Sequence, residues 1–245
     1  MPHPRPTAFI FDWDNTLVDS WGAIAEAMNH TRKAFGLPLW SLGEVRTNCT
    51  RAARDSFPEW FGSEWKKAYE IYYAGFDEVR KKRLITPLRG APELLAWLKG
   101  QGIPSFVVSN KRGDYLRIEA EKLQWQDYFV AIVGAQDSAR DKPAREHVDH
   151  ALNHANIAAD ETVWFVGDSE TDILCARNAG CTPVLIGDAE TAEKLAVPLV
   201  FPDCQELQEL LCKYNGDIGR SNRIKVKTRA VESPSRLREG LGEGG

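Results

Sequence analysis

Hydrophobic periodicity changes twice along the chain, and each change predicts a different kind of element. Ala8-Phe9-Ile10-Phe11 is a continuous apolar run, short enough to be a strand buried on both faces. It ends in Asp12, with Asp14 and Thr16 following at two-residue spacing. From Val18 the period becomes helical. Val18, Trp21, Ala25, Met28, Arg32 and Phe35 fall at helical spacing until Gly36-Leu37-Pro38 stops the run. Two further helices are predicted over 41–56 and 63–82, separated by Phe57-Pro58 and Phe61-Gly62. No strand-like run occurs between Asp19 and Ile85, and the stretch is rich in aromatics. It reads as an all-helical insertion with a small core of its own.

Beyond Pro87 the rhythm is regular. Helices are expected at 91–100, 113–123, 143–155 and 170–179, with Gly180 as a stop, and a last one near 205–214. Between them, 104–109, 128–134, 162–167, 183–187 and 199–201 read as strands. Alternating βα units of this size predict an α/β fold, a doubly wound, Rossmann-like parallel sheet with helices on both faces. The expected organisation is a core of 1–19 and 86–214, a helical cap of 20–85, and a tail of 215–245. The tail is Ser-, Arg-, Glu- and Gly-rich and is expected to be disordered.

Composition narrows the function classes. At 43% apolar and 27% charged over 245 residues the chain is an ordinary globular protein. No apolar run approaches the roughly 18–20 residues needed to span a bilayer. Few apolar residues follow Met-Pro-His-Pro-Arg-Pro, too few for a signal-peptide core, so a cytoplasmic protein without membrane contact is expected. Five cysteines without a C-x-x-C pair predict reduced, buried thiols. The net charge of −4 splits unevenly: 219–245 carries seven Lys or Arg against three Glu, which leaves −8 for the rest. An acidic body of this kind does not suggest a nucleic-acid partner.

Asp12 and Asp14 have two readings. Asp, Asn and Thr suit helix N-caps, so taken alone the stretch also reads as the opening of the next helix. In open α/β sheets, however, ligands bind at the carboxyl ends of strands. Three later segments bring polar groups to that same edge: Ser109-Asn110-Lys111, Asp141-Lys142-Pro143, and Gly167-Asp168-Ser169-Glu170-Thr171-Asp172. Taken singly, each is a turn, a solvated charge or a cap. Together they favour a site.

In order and spacing, Asp12-x-Asp14-x-Thr16, Ser109, Lys142 and Gly167-Asp168-x3-Asp172 resemble the four motifs of the haloacid dehalogenase-like phosphatases. The resemblance runs from about Thr7 to Tyr214 and is greatest to the phosphoglycolate phosphatase branch, whose mobile cap the helical insertion resembles. It implies a Mg²⁺-dependent phosphatase acting on a small soluble phosphate monoester. By that resemblance Asp12 is the nucleophile and Asp14 the general acid and base. Lys142 neutralises charge, while Thr16, Ser109 and Asn110 bind phosphate. Asp12, Asp168 and the Asp14 carbonyl hold the metal, with Asp172 a ligand or one water away.

Asn15 stands where the branch has Gly, and Asn tolerates a left-handed backbone. Trp13 replaces a usual Leu, and Lys142-Pro143 is followed by Ala-Arg rather than a second Pro. No histidine falls in a motif; His147, His150 and His154 read as surface helix positions. Specificity is expected in the cap, where Arg46, Asn48, Arg51, Arg54 and Lys66-Lys67 are candidates, with Arg51 and Arg54 sharing a helix face. Trp40, Trp60 and Trp65 read as cap core. The competing readings are a phosphosugar mutase on the same core and a non-enzymatic binding protein. A metal-free dehalogenase is disfavoured by Asp14 together with Asp168.

Overall fold

The computed structural model describes residues 3–49, 51–82, 85–216 and 223–224. Its centre is a six-stranded parallel sheet: β1 (Ala8–Phe11), β2 (Ser105–Arg112), β3 (Ala131–Ala135), β4 (Val163–Gly167), β5 (Thr182–Ile186) and β6 (Val200–Phe201). The spatial order is β3-β2-β1-β4-β5-β6. The chain winds outward from β1 in one direction and then crosses back to β4, so the topological switch lies between β1 and β4, where open α/β sheets leave a crevice.

Alternation along β1 explains the layers. Phe9 and Phe11 join Val107, Trp164 and Val166 on one face, under helices α5 (Ala91–Gly100), α6 (Gly113–Lys122) and α10 (Cys204–Gly216). Ala8 and Ile10 point the other way, with Phe106, Val108 and Phe165, against α7 (Arg145–Asn153) and α8 (Glu170–Ala179). All four residues of β1 are fully buried. A central parallel strand has no wet face, so it needs the unbroken apolar run.

Between β1 and β2 the chain leaves the sheet. Val18–Asp19 pairs antiparallel with Thr86–Pro87, so the outgoing and returning strands form one stem. Beyond it lie α1 (Trp21–Ala34), α2 (Leu42–Asn48), α3 (Ala53–Phe61) and α4 (Trp65–Lys82). Ser41 and Glu44 form a capping box that starts α2. Phe57 is the hub of the helical core, with ring centroids 5.1–6.1 Å from Trp60, Phe61, Tyr69 and Tyr72.

Several details depart from the sequence reading. In place of the expected helix over 41–56, α2 ends at Asn48 and α3 starts at Ala53, and Pro58 lies inside α3 instead of ending it. A proline interrupts one backbone hydrogen bond, but burial of Phe57 beside it holds the turn in place. A short helix, α9 (Ala189–Lys194), was not expected. Cys212 is exposed, whereas Cys175, Cys181 and Cys204 are buried as expected, and none of the five cysteines is bonded to another. Of the 215–245 tail, residues 215–216 end α10 and Arg223–Ile224 pairs with His3–Pro4. The expected disorder of the remainder lies outside the described residues. Among the described residues no helix is long and apolar enough to cross a membrane.

Candidate active site

Asp12 follows β1 directly and Asp168 follows β4, so the switch point places these two carboxylates side by side. Asp172 joins them from the first turn of α8, and an oxygen from each of the three acids lies within 4.8 Å of the others. Lys142 reaches the same place from the loop before α7. Its Nζ donates to Asp12 Oδ1 and to Asp172 Oδ1, each at 2.6 Å. The lysine is 3% exposed and Asp172 fully buried.

Asp172 also does local work. Its Oδ2 accepts from the Ser169 N–H (3.0 Å) and hydroxyl (2.6 Å), closing a capping box on α8. Ser169 at the N-cap and Asp172, two residues into the helix beyond Glu170, thus cap α8 between them, and Asp168 is not part of the box. Gly167 permits the close approach: a Cβ there would sit 2.3 Å from the Asp172 Cβ.

The turn after Asp12 is built by Asn15, whose φ of 63° is the left-handed conformation expected of it. Its Oδ1 accepts the Ser20 N–H at 3.1 Å. This turn buries Thr16, which donates to Asp168 Oδ1 at 3.4 Å. On the other side, the pairing of β2 with β3 slips between Val108 and Arg112, so Ser109, Asn110 and Lys111 lie in an irregular stretch that re-aims side chains. Ser109 is buried and accepts the Lys111 N–H, while Asn110 donates to the Lys142 carbonyl at 3.2 Å.

Two sets of supporting contacts were not expected from the sequence. Lys111 Nζ donates to Asp14 Oδ1 (2.7 Å) and to Glu119 Oε2 (2.6 Å), and the latter oxygen also accepts the Trp13 indole N–H (2.8 Å). His147 is not a surface residue but is fully buried. Its Nδ1 accepts the Lys142 N–H and its Nε2 contacts the Gly134 carbonyl, both at 3.1 Å. His150 is half-buried and His154 exposed.

Charge in the cluster is unbalanced. Burial, the largest influence, pushes the Asp12 carboxyl up to about 7; Lys142 opposes this and Asp172 adds to it. Asp168 is held well above the ordinary carboxylate range by burial, then by Asp172 and Asp12. Burial works against the charge on Lys142, but Asp12 and Asp172 outweigh it and raise the ammonium above its usual range. Burial thus resists ionisation of these acids, because three ionised carboxylates against one ammonium would leave two negative charges in a dry place. A hard dication balances them, and three close carboxylate oxygens are the donors Mg²⁺ takes.

The cap closes the site from above. A cavity of about 270 Å³ is lined by Asp12, Asp14, Lys142 and Asp168 below and by Trp21, Arg46, Arg51 and Trp60 among others above. Arg51, in the break before α3, forms a fork with Glu59 (3.0 and 2.5 Å), so it does not share a helix face with Arg54. Arg54 pairs instead with buried Asp141 at 2.5 Å, next to Lys142. Asn48 donates to the Glu44 carbonyl within its own helix. Trp40 packs edge-on against Trp60 at 5.3 Å, as expected of cap core, though Trp60 also faces the cavity.

An α/β sheet with acids gathered at its switch point and a helical lid above them defines a class of hydrolase. The chain belongs to the haloacid dehalogenase-like hydrolase family, whose model matches residues 9–186. It is 29% identical over 217 residues to a phosphoglycolate phosphatase of Chromobacterium violaceum, covering 83% of this chain and 96% of that one. A phosphoglycolate phosphatase of Nitrosococcus oceani is 30% identical over 187 residues, covering 71% and 81%. The fold superposes on a hydrolase from Pseudomonas syringae with a TM-score of 0.74 at 20% identity, covering 84% and 98% of the two chains. The protein is a phosphatase of this family.

Proposed function

We propose that the chain hydrolyses a small phosphate monoester in a Mg²⁺-dependent reaction through an aspartyl-phosphate on Asp12. The observation that carries this reading is the Lys142 bridge, which joins Asp12 to Asp172 beside Asp168. The charge surplus there fits a dication, which when bound supplies positive charge to the phosphoryl oxygens. Asp12, Asp168 and the Asp14 carbonyl would hold it, with Asp172 contributing directly or through water.

In the first step an Asp12 oxygen attacks phosphorus, the bond to the leaving oxygen breaks, and that oxygen takes a proton from Asp14. In the second, Asp14 accepts a proton from water, the water oxygen bonds to phosphorus, and the bond to Asp12 breaks. Lys142 offsets the charge that builds on the phosphoryl group, and Thr16, Ser109 and Asn110 orient its oxygens. Positioning and charge supply most of the barrier reduction in such transfers.

The 20–85 segment acts as the cap over the ester. The cavity lies below the roughly 300 Å³ at which drug-sized ligand sites begin, which supports a small substrate. The names of the relatives favour an alkyl phosphate such as phosphoglycolate.

The test is turnover of a panel of alkyl phosphates, sugar phosphates and p-nitrophenyl phosphate by the full chain, with and without Mg²⁺. Mg²⁺-dependent release of phosphate is expected, and Asp12→Asn should abolish it while circular dichroism stays native. Near-native turnover by that variant would remove Asp12 as the nucleophile.

A further inference from the structure

The two motif aspartates each have a lysine of their own. Lys142 serves Asp12 and Asp172, while Lys111 serves Asp14 and Glu119. The second set is the unexplained one. Lys111 and Glu119 are each 6% exposed and Trp13 is fully buried, so three polar groups have been withdrawn from water beside an apolar core. Burying an ion pair is seldom a gain in stability over apolar residues of similar shape. Packing alone gives no reason for it.

The geometry points to a reason. Trp13 is fixed by edge-on contacts with Trp125 at 5.7 Å and Phe129 at 6.5 Å, and its indole N–H donates to Glu119 Oε2. Glu119 is carried by α6, whose buried face also includes Tyr115, Leu116 and Ala120. That oxygen accepts from Lys111, whose ammonium then meets Asp14 Oδ1. Each member is held by a rigid neighbour, and the chain of contacts ends on Asp14, which has no hydrogen bond from Lys142. With Oδ1 engaged by Lys111, Oδ2 is the oxygen of Asp14 left for substrate.

We propose that Trp13 and Glu119 hold Lys111 against Asp14, and that Lys111 is thereby the positioning residue that fixes which Asp14 oxygen meets the leaving group. This rests on the reading of Asp14 as the acid that protonates the leaving oxygen. Once that proton has moved to the leaving oxygen, Lys111 faces the carboxylate that remains.

A leaving group that needs no proton separates this role from a merely structural one. p-Nitrophenolate departs unprotonated, whereas an alkoxide must be protonated as it leaves. The parameter kcat/KM reports the steps up to that departure, so the later water step does not enter. The variants are Lys111→Met, Glu119→Gln and the double variant. The double variant removes both charges and strands neither, so it carries the test should a single variant not fold.

On the alkyl phosphate that the panel finds best, kcat/KM should fall roughly tenfold or more, a part of the 10²–10⁴ typical of general acid–base catalysis. On p-nitrophenyl phosphate it should fall less than about threefold. Asp14→Asn sets the upper limit of the alkyl loss. Equal losses on the two esters, or no loss on either, would overturn the proposal and leave the phosphatase reading intact. Full alkyl turnover by Asp14→Asn would overturn the proposal together with the reading of Asp14 as the acid.

Discussion

His147 offers a pH dependence whose sign and size follow from its contacts. Its Nδ1 accepts the Lys142 N–H and its Nε2 faces a carbonyl, so the neutral ring with the proton on Nε2 satisfies both partners. Protonating Nδ1 would set a proton against an N–H donor in a buried place. Burial first, and then the charge on Lys142, lowers its pKa from 6.5 to about 4. Between those values the unfolded chain binds the proton that the folded chain refuses. Stability from this residue is therefore complete above about pH 6.5 and is lost as pH falls towards 4. The full loss is about 3 kcal/mol, reaching about 1.4 kcal/mol near pH 5.5 and about 2.6 kcal/mol near pH 4.5. His147→Gln keeps an acceptor and a donor but does not titrate. Urea midpoints of both proteins across this range provide the assay, and the difference isolates His147 from the titrating aspartates. The wild type should lose its advantage over the variant as pH falls, by roughly half a molar in urea near pH 5.5. A constant difference from pH 8 to pH 4.5 would refute the buried-neutral assignment.

Gly167→Ala should push Asp172 off Lys142 and Ser169, because the added Cβ would lie 2.3 Å from it. kcat/KM should fall roughly a hundredfold, as misplacements of about 1 Å do, and native-like turnover would show that α8 shifts freely. Arg54→Met leaves Asp141 buried without its cation and should destabilise the fold by about 2–4 kcal/mol. Adding Asp141→Asn should restore much of the melting temperature, and equal melting of wild type and single variant would count the pair as idle. Truncation after Gly216 removes none of the site residues and should leave kcat/KM on small esters unchanged; a large loss would give the basic tail a part in turnover.

The strands were legible because a central parallel strand needs an unbroken apolar run, and the motif acids because they stand where those runs end. Local rules failed where distant contacts decide. Pro58 reads as a helix stop, yet the packing of Phe57 against four aromatic rings holds the turn around it. Lys111, Glu119 and Trp13 were not linked in advance because their contacts join residues up to 106 positions apart. A signal was nonetheless present. Glu119 lies on the helical face of Tyr115, Leu116 and Ala120, and His147 on that of Val148, Ala151 and Leu152, all buried. A polar residue at an apolar phase of a helix beside a motif must either reach a partner or cost several kcal/mol. In both helices the partner is a motif lysine or the lysine next to a motif. Helical phase therefore identifies residues that support the site as surely as spacing identifies those that form it.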